Sequence, residues 1–265
     1  SSQDERKSTS LEDEIPLLLT HSTITDIGFS ADSIYTNTTI AAGTYNGCAI
    51  LENQSMVCWG DNEYGQLGDG TTTGSAVPIY VNVAANETPV EVTVGQVTAC
   101  ALMESGNIYC WGSGYYGKMG NGEPWNDDYV NTEMRQVLLP EGQGGQTVSI
   151  SGGHICTILN NGDVYCWGRG NQGQLGYGGT SNRNIPAKVN LPGQRSAIAI
   201  STGTFMTCAI TNDGMGYCWG ENDEGQLGNG TTNSRRMTPA EVLFPSGNTP
   251  VSISAGDDFA CALMD

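Results

Sequence analysis

The sequence predicts an all-β fold, a β-propeller assembled from blades of about fifty residues. Three observations carry this expectation. A unit of that length recurs along the chain, paired cysteines mark the same place in each unit, and the composition favours short strands joined by tight turns. Of 265 residues 37 are glycine and only 14% are charged, which does not suit long surface helices.

Four copies of the unit are complete. They run from Cys48-Ala49-Ile50-Leu51 to Cys58-Trp59-Gly60, from Cys100-Ala101-Leu102-Met103 to Cys110-Trp111-Gly112, from Cys156-Thr157-Ile158-Leu159 to Cys166-Trp167-Gly168, and from Cys208-Ala209-Ile210-Thr211 to Cys218-Trp219-Gly220. A fifth starts at Cys261-Ala262-Leu263-Met264. The first cysteines are spaced by 52, 56, 52 and 53 residues, so insertions are small and belong in loops. After each Trp-Gly comes a second shared block: Tyr64-Gly65-Gln66-Leu67-Gly68, Tyr116-Gly117-Lys118-Met119-Gly120, Gln172-Gly173-Gln174-Leu175-Gly176 and Glu224-Gly225-Gln226-Leu227-Gly228. An apolar run such as Val148-Ser149-Ile150 precedes each first cysteine. Three β-like runs per unit, with a fourth around Ala187-Lys188-Val189, describe a blade.

The cysteine spacing has a geometric meaning. Two cysteines ten residues apart can face each other across a hairpin only if its loop has an odd length, and a three-residue loop fits. The third loop position of such a turn is left-handed, where glycine carries no steric penalty, and Gly106, Gly162 and Gly214 fall there. The first unit has Gln54 at that place, which implies a strained or longer turn. Counted outward from the loop, the cysteines occupy a non-hydrogen-bonded pair, where strands lie closest. The expected disulfides are Cys48–Cys58, Cys100–Cys110, Cys156–Cys166 and Cys208–Cys218. Metal sites are the alternative, but the pairs lack short C-x-x-C spacing, and His21 and His154 are the only histidines.

Four bridges imply an oxidising compartment, so the expected location is extracellular, secreted or at a cell surface. The N-x-[ST] sites at Asn37, Asn53, Asn86 and Asn229 are candidate glycosylation positions in a eukaryotic source. A formal charge of −18 repels phosphate backbones and anionic lipids, which argues against a nucleic-acid partner. No apolar run approaches the roughly 20 residues of a spanning helix.

The combination of a strand ending in glycine, an apolar strand, a turn, Trp-Gly and then Gly-Gln-Leu-Gly resembles the regulator of chromosome condensation repeat superfamily, in particular its secreted branch bearing Cys-Trp-Gly. The resemblance covers roughly residues 38 to 265. It implies a propeller, commonly of seven blades, that serves as a platform for partners ranging from small GTPases to inhibited enzymes. The acidity and the disulfides depart from the nuclear nucleotide-exchange member, so no exchange activity is carried across. A seven-bladed ring needs roughly 360 to 390 residues at this period, so the repeats over 37–265 are expected to be truncated at the C-terminus. An early segment, Ser33-Ile34-Tyr35-Thr36, closing the last blade is the competing idea. Residues 1–36 read as a non-repeat linker or docking arm.

No catalytic constellation stands out, and no cofactor or metal is expected. His154 beside Cys156 reads as a structural histidine, without a Ser/His/Asp or H-E-x-x-H context. The acidic turns Asp61-Asn62-Glu63, Asn126-Asp127-Asp128 and Glu221-Asn222-Asp223-Glu224 match no calcium motif and read as solvated charge. Trp59, Trp111, Trp167 and Trp219 recur with the blade and are expected between sheets, whereas Trp125 lies off the repeat and is a candidate partner contact. The function expected is non-enzymatic binding of a protein or glycan through propeller loops. Alternatives are a structural subunit that self-assembles into an extracellular filament or appendage and, further off, a glycan-active enzyme.

Overall fold

The computed structural model describes residues 39–124, 130–232 and 235–265. They form four antiparallel sheets of four strands each and a fifth sheet of two. The first comprises β1 (Ile40–Ala42), β2 (Asn46–Ile50), β3 (Met56–Gly60) and β4 (Ser75–Tyr80). The second comprises β5 (Pro89–Val94), β6 (Thr98–Met103), β7 (Ile108–Ser113) and β8 (Val130–Gln136). The third holds β9 (Gly145–Ile150), β10 (His154–Leu159), β11 (Val164–Gly168) and β12 (Arg183–Lys188), and the fourth β13 (Ala197–Thr202), β14 (Met206–Thr211), β15 (Gly216–Gly220) and β16 (Arg236–Glu241). Strands β17 (Pro250–Ala255) and β18 (Ala260–Met264) make the fifth sheet. Each sheet is a propeller blade, paired in chain order.

Consecutive blades meet through their first strands: β1 packs on β5, β5 on β9, β9 on β13 and β13 on β17. The first strand is therefore innermost and the fourth outermost. Outermost position explains the prolines in β4, β12 and β16 (Pro78, Pro186, Pro239), because an edge strand needs no ladder donor there. It also explains why the sequence signal for this strand is weak, since much of it is exposed on both faces.

The core is a row of apolar clusters, one in each seam between neighbouring blades. Ile50, Met56 and Leu67 of the first blade pack with Val92, Met103 and Trp111 of the second. Leu102, Ile108 and Met119 pack with Ile150, Ile155 and Trp167 in the next seam, and Ile158, Val164 and Leu175 with Ala209 and Trp219 in the one after. Hydrogen bonds along the inner strands tie the seams from the second blade to the fifth. Thr147 Oγ1 and the Val148 amide donate to Glu91 Oε1 at 3.0 and 3.3 Å, Ser149 meets Thr202 at 3.0 Å, and the Ala255 amide donates to Ser201 Oγ at 2.9 Å. Enclosure by protein pushes the Glu91 carboxyl up to about 7 against these donors.

The two middle strands of each blade carry the cysteines. Cys48–Cys58, Cys100–Cys110, Cys156–Cys166 and Cys208–Cys218 are disulfide-bonded, each with a Cα separation of 4.1 Å and directly opposite in the ladder register. The hairpin loop has three residues in all four blades. The amides of Gly106, Gly162 and Gly214 close the turn onto Met103, Leu159 and Thr211 at 2.8, 2.8 and 2.9 Å, with φ of 84°, 82° and 77°. In the first blade Gln54 makes the same bond to Leu51 at 2.8 Å with φ of 66°, so this turn has the ordinary length and bears the strain of a side chain in the left-handed region. Cys261, at the matching place in β18, is unpaired and exposed.

Among the described residues no helix is long and apolar enough to cross a membrane. Asn37 and the segment 33–36 lie outside the described residues, as does Trp125 with the turn 126–128.

Candidate functional site: the loop face

Antiparallel alternation places all the hairpin turns on one face of the ring. The first-to-second and third-to-fourth strand connections lie on the other. The second group includes the Gly-Gln-Leu-Gly blocks, and these latch each blade to the next. Trp111 Nε1 donates to the Gln66 carbonyl at 2.9 Å, Trp167 to the Lys118 carbonyl at 2.8 Å and Trp219 to the Gln174 carbonyl at 2.8 Å. All three indoles are fully buried. The last glycine of each block lies against the ring it serves: a Cβ on Gly68, Gly120 or Gly176 would come within 2.8 Å of the indole nitrogen. The repeated tryptophan and the repeated glycine are thus two halves of one inter-blade contact. Trp59 is only half-buried, and no block of an earlier blade lies among the described residues to accept its indole.

The glutamine of the block braces its own loop. Gln66, Gln174 and Gln226 each accept the amide two residues earlier, at 2.9, 2.8 and 3.0 Å, and Gln66 Nε2 also donates to Asp61 at 2.7 Å. Asn62 and Asn222 do similar work. Each side chain accepts the buried amide of Leu67 or Leu227 and donates across the loop to Thr71 or Thr231. Two of the acidic turns singled out in the sequence are therefore organised by asparagine bonds, and among the described residues no three metal-ligating side chains cluster.

Between these loops lies a groove of about 640 Å³. Its walls come from four blades: Tyr45, Asp61, Glu63 and Tyr64 from the first, Tyr115, Tyr116 and Lys118 from the second, Arg169 from the third and Thr204 from the fourth. The Arg169 guanidinium stands 5.1 Å from the ring centre of Tyr116 and 4.8 Å from that of Phe205, while its Nε donates to Asn171 at 2.8 Å. Stacking between rings fixes a normally mobile cation at the groove wall. Tyr116 is held at φ of 66° in a single turn over Tyr115–Gly117, and its ring centre lies 4.0 Å from that of Tyr115.

Lys118 stands where the other complete blades have glutamine. It is only 3% exposed, and no hydrogen bond or ion pair reaches its Nζ; burial pulls the ammonium down to about 8. Sequence reasoning treated Lys118 as a variant within a turn block; its departure from glutamine at that register was the signal available.

His154 lies in β10, buried, with Nε2 2.7 Å from Thr207 Oγ1, which itself donates to the Gln174 carbonyl at 2.9 Å. Thr207 has spent its proton, so Nε2 carries the histidine's and Nδ1 faces no polar partner. Burial holds the ring neutral, with its titration pulled down to about 3, and the geometry is that of a seam contact. Of the sequons, Asn53 is exposed in the first hairpin turn and accepts the Ser55 hydroxyl at 2.6 Å. Asn229 accepts the Thr231 hydroxyl at 2.7 Å on the loop face, and Asn86 is exposed between β4 and β5 with φ of 64°.

Comparison with known proteins places this geometry. A model of the regulator of chromosome condensation (RCC1) repeat matches residues 57–102, 161–210 and 213–263, and a second model of the same repeat matches 38–66, 90–118, 146–174 and 197–226. The human "E3 ubiquitin-protein ligase HERC2" is 29% identical over 84% of this chain and 5% of its own length. The Arabidopsis thaliana "Ultraviolet-B receptor UVR8" is 32% identical over 82% of this chain and 48% of its own. The chain therefore spans about half, or far less, of the curated relatives it matches. Prp20p of Saccharomyces cerevisiae superposes with a TM-score of 0.75 at 18% identity, covering 88% of this chain and 57% of that one. With repeat models matching more than half of its residues and a solved RCC1-type propeller sharing its fold, the chain belongs to the regulator of chromosome condensation (RCC1) repeat family.

Proposed function

We propose that this chain is a non-enzymatic, extracellular binding module that grips a protein partner in the groove of its loop face. One observation carries the reading. At equivalent places in successive blades the scaffold residues repeat, Trp and Gly above all, while the loop-face position after each Trp-Gly differs: Asp61, Ser113 and Arg169, which line the groove, and Glu221 beyond it. Side chains that vary over an unvarying backbone define a specific surface. Protein binding is also what the fold does in a solved neighbour, since Prp20p is described with binding to Gsp1p and histones. The ligase activity named for HERC2 is not transferred, because so little of that protein is matched.

Extracellular placement is supported by the four disulfides, which reducing compartments disfavour. On this reading residues 37–265 form the propeller portion, 1–36 a linker or docking arm, and Asn53, Asn86 and Asn229 are glycosylation positions. The test is site-specific photo-cross-linking on material in its native setting. A photoreactive residue at Tyr45 or Tyr64 should trap a discrete protein, and one at Glu52 or Asn160 on the hairpin face should not. Equal trapping from both faces would sink the reading. A product with a sugar chain, or with a second copy of this chain, would favour the glycan or filament alternatives.

A further inference from the structure

We infer that the groove contains a carboxylate-receiving site built on Lys118, and that it takes an acidic side chain from the protein partner. This rests on the loop-face reading and deepens it. Four features point the same way. Lys118 lines the groove with most of its side chain covered, and its Nζ, which opens onto the groove, is met by no hydrogen bond or ion pair in the free chain. An ammonium that meets solvent only through the groove, with its stem covered and no counter-charge beside it, is poorly solvated, and an entering carboxylate would offset that cost. The fold does not require the lysine, because Gln66, Gln174 and Gln226 fill the same register in the other blades and brace their loops. Finally, Arg169 brings a second cation to the same groove, fixed between Tyr116 and Phe205 and close enough to Glu221 to act on its carboxyl. In a chain of net charge −18 two cations converging on one groove form a local exception to the surrounding field.

An acidic side chain on a peptide, rather than an acidic sugar, is the occupant favoured by the company it keeps. Tyr45 and Tyr64 flank the opening, the first 63% and the second 36% exposed, and such tyrosines offer apolar area with a hydrogen-bonding tip to neighbouring peptide groups. Asp61 and Glu63 on the first-blade wall oppose a uniformly acidic polymer such as a polyuronate, while one carboxylate flanked by neutral or basic groups meets both walls.

The chain has three lysines, Lys7, Lys118 and Lys188, so labelling lysine with carbon-13 at Cε yields three assignable signals. The probes are a glutamate residue capped at both ends, its capped glutamine counterpart and free glucuronate, each titrated through the millimolar range. The expected result is that capped glutamate alone moves the Lys118 signal and raises its titration midpoint toward that of an ordinary lysine, leaving Lys188 in place. Lys118→Gln, which restores the residue of the other blades, should keep the fold and lose at least about tenfold in affinity for the partner trapped from Tyr45 or Tyr64. A Lys118 signal indifferent to capped glutamate overturns the proposal, as does one that answers to glucuronate instead. If Lys118→Gln binds the trapped partner as tightly as the unaltered chain while Tyr45→Ala does not, the carboxylate site fails and the loop-face reading stands. If neither substitution affects the partner, that reading fails as well.

Discussion

The blades of this propeller and the seams that join them are secured by different means. Within each complete blade a disulfide at mid-strand and a three-residue turn at the hairpin face pin the two middle strands, and the geometry is nearly superimposable from blade to blade. On the loop face nothing is covalent: a tryptophan from one blade donates to a carbonyl of its predecessor, and the loops around that bond carry different side chains in each blade. The disulfide stabilises a blade, whereas the tryptophan stabilises a seam. Separating the two tasks leaves the loops free to vary, because the backbone that presents them is fixed from elsewhere.

The largest expected effect lies at a seam. Trp167→Ala empties a fully buried site between the second and third blades and orphans the Lys118 carbonyl. A loss of about 3 to 5 kcal/mol is expected for a core tryptophan, read by denaturant unfolding. Trp167→Phe keeps most of the packing and should cost about 1 to 3 kcal/mol through the unpaired carbonyl. Equal losses for both would show that packing contributes little and that the bond dominates the seam.

Next in size is a hairpin pin. Replacing Cys100 and Cys110 together by alanine should lower stability by roughly 2 to 3 kcal/mol, the loop-closure term for so short a loop. The same change should move the Lys118 signal only slightly, because the bridge borders the seam cluster of Met119 and Trp167 while the Lys118 loop keeps its own turn bonds and the Trp167 latch. Movement as large as that produced by Trp167→Phe would mean that blade and seam are not separable and the division of labour is false.

The same division explains what could be read from the sequence. The hairpins were legible because a ten-residue cysteine spacing and a glycine at the third loop place both follow from one backbone geometry. Of the outermost strands only that of the third blade was read, around Ala187-Lys188-Val189, because Ser75–Tyr80 and Arg236–Glu241 have exposed residues on both faces and a proline each, and so lack period-two alternation. The Trp-to-carbonyl latch joins residues 45 to 49 positions apart, and only the ring arrangement brings them together. Lys118 was visible as a letter, but its place in a groove is a property of several blades at once.

The smallest expected effect tests the hairpin face against itself. Gln54 adopts the left-handed conformation that glycine holds in the other three complete blades, with the same turn hydrogen bond. Its side chain therefore contributes only strain there, which for a residue other than glycine is worth about 1 kcal/mol or somewhat more. Part of the gain on substitution is offset by the greater freedom of glycine in the unfolded chain. Gln54→Gly should then stabilise the chain by less than about 1 kcal/mol, raising the thermal midpoint by about 2 to 4 °C at most. Gln54→Ala should do nothing of the kind, because alanine keeps the Cβ that causes the strain. If alanine stabilises as much as glycine, the cost at this position belongs to the glutamine's longer side chain and not to its backbone, and the four turns are less alike than their hydrogen bonds suggest.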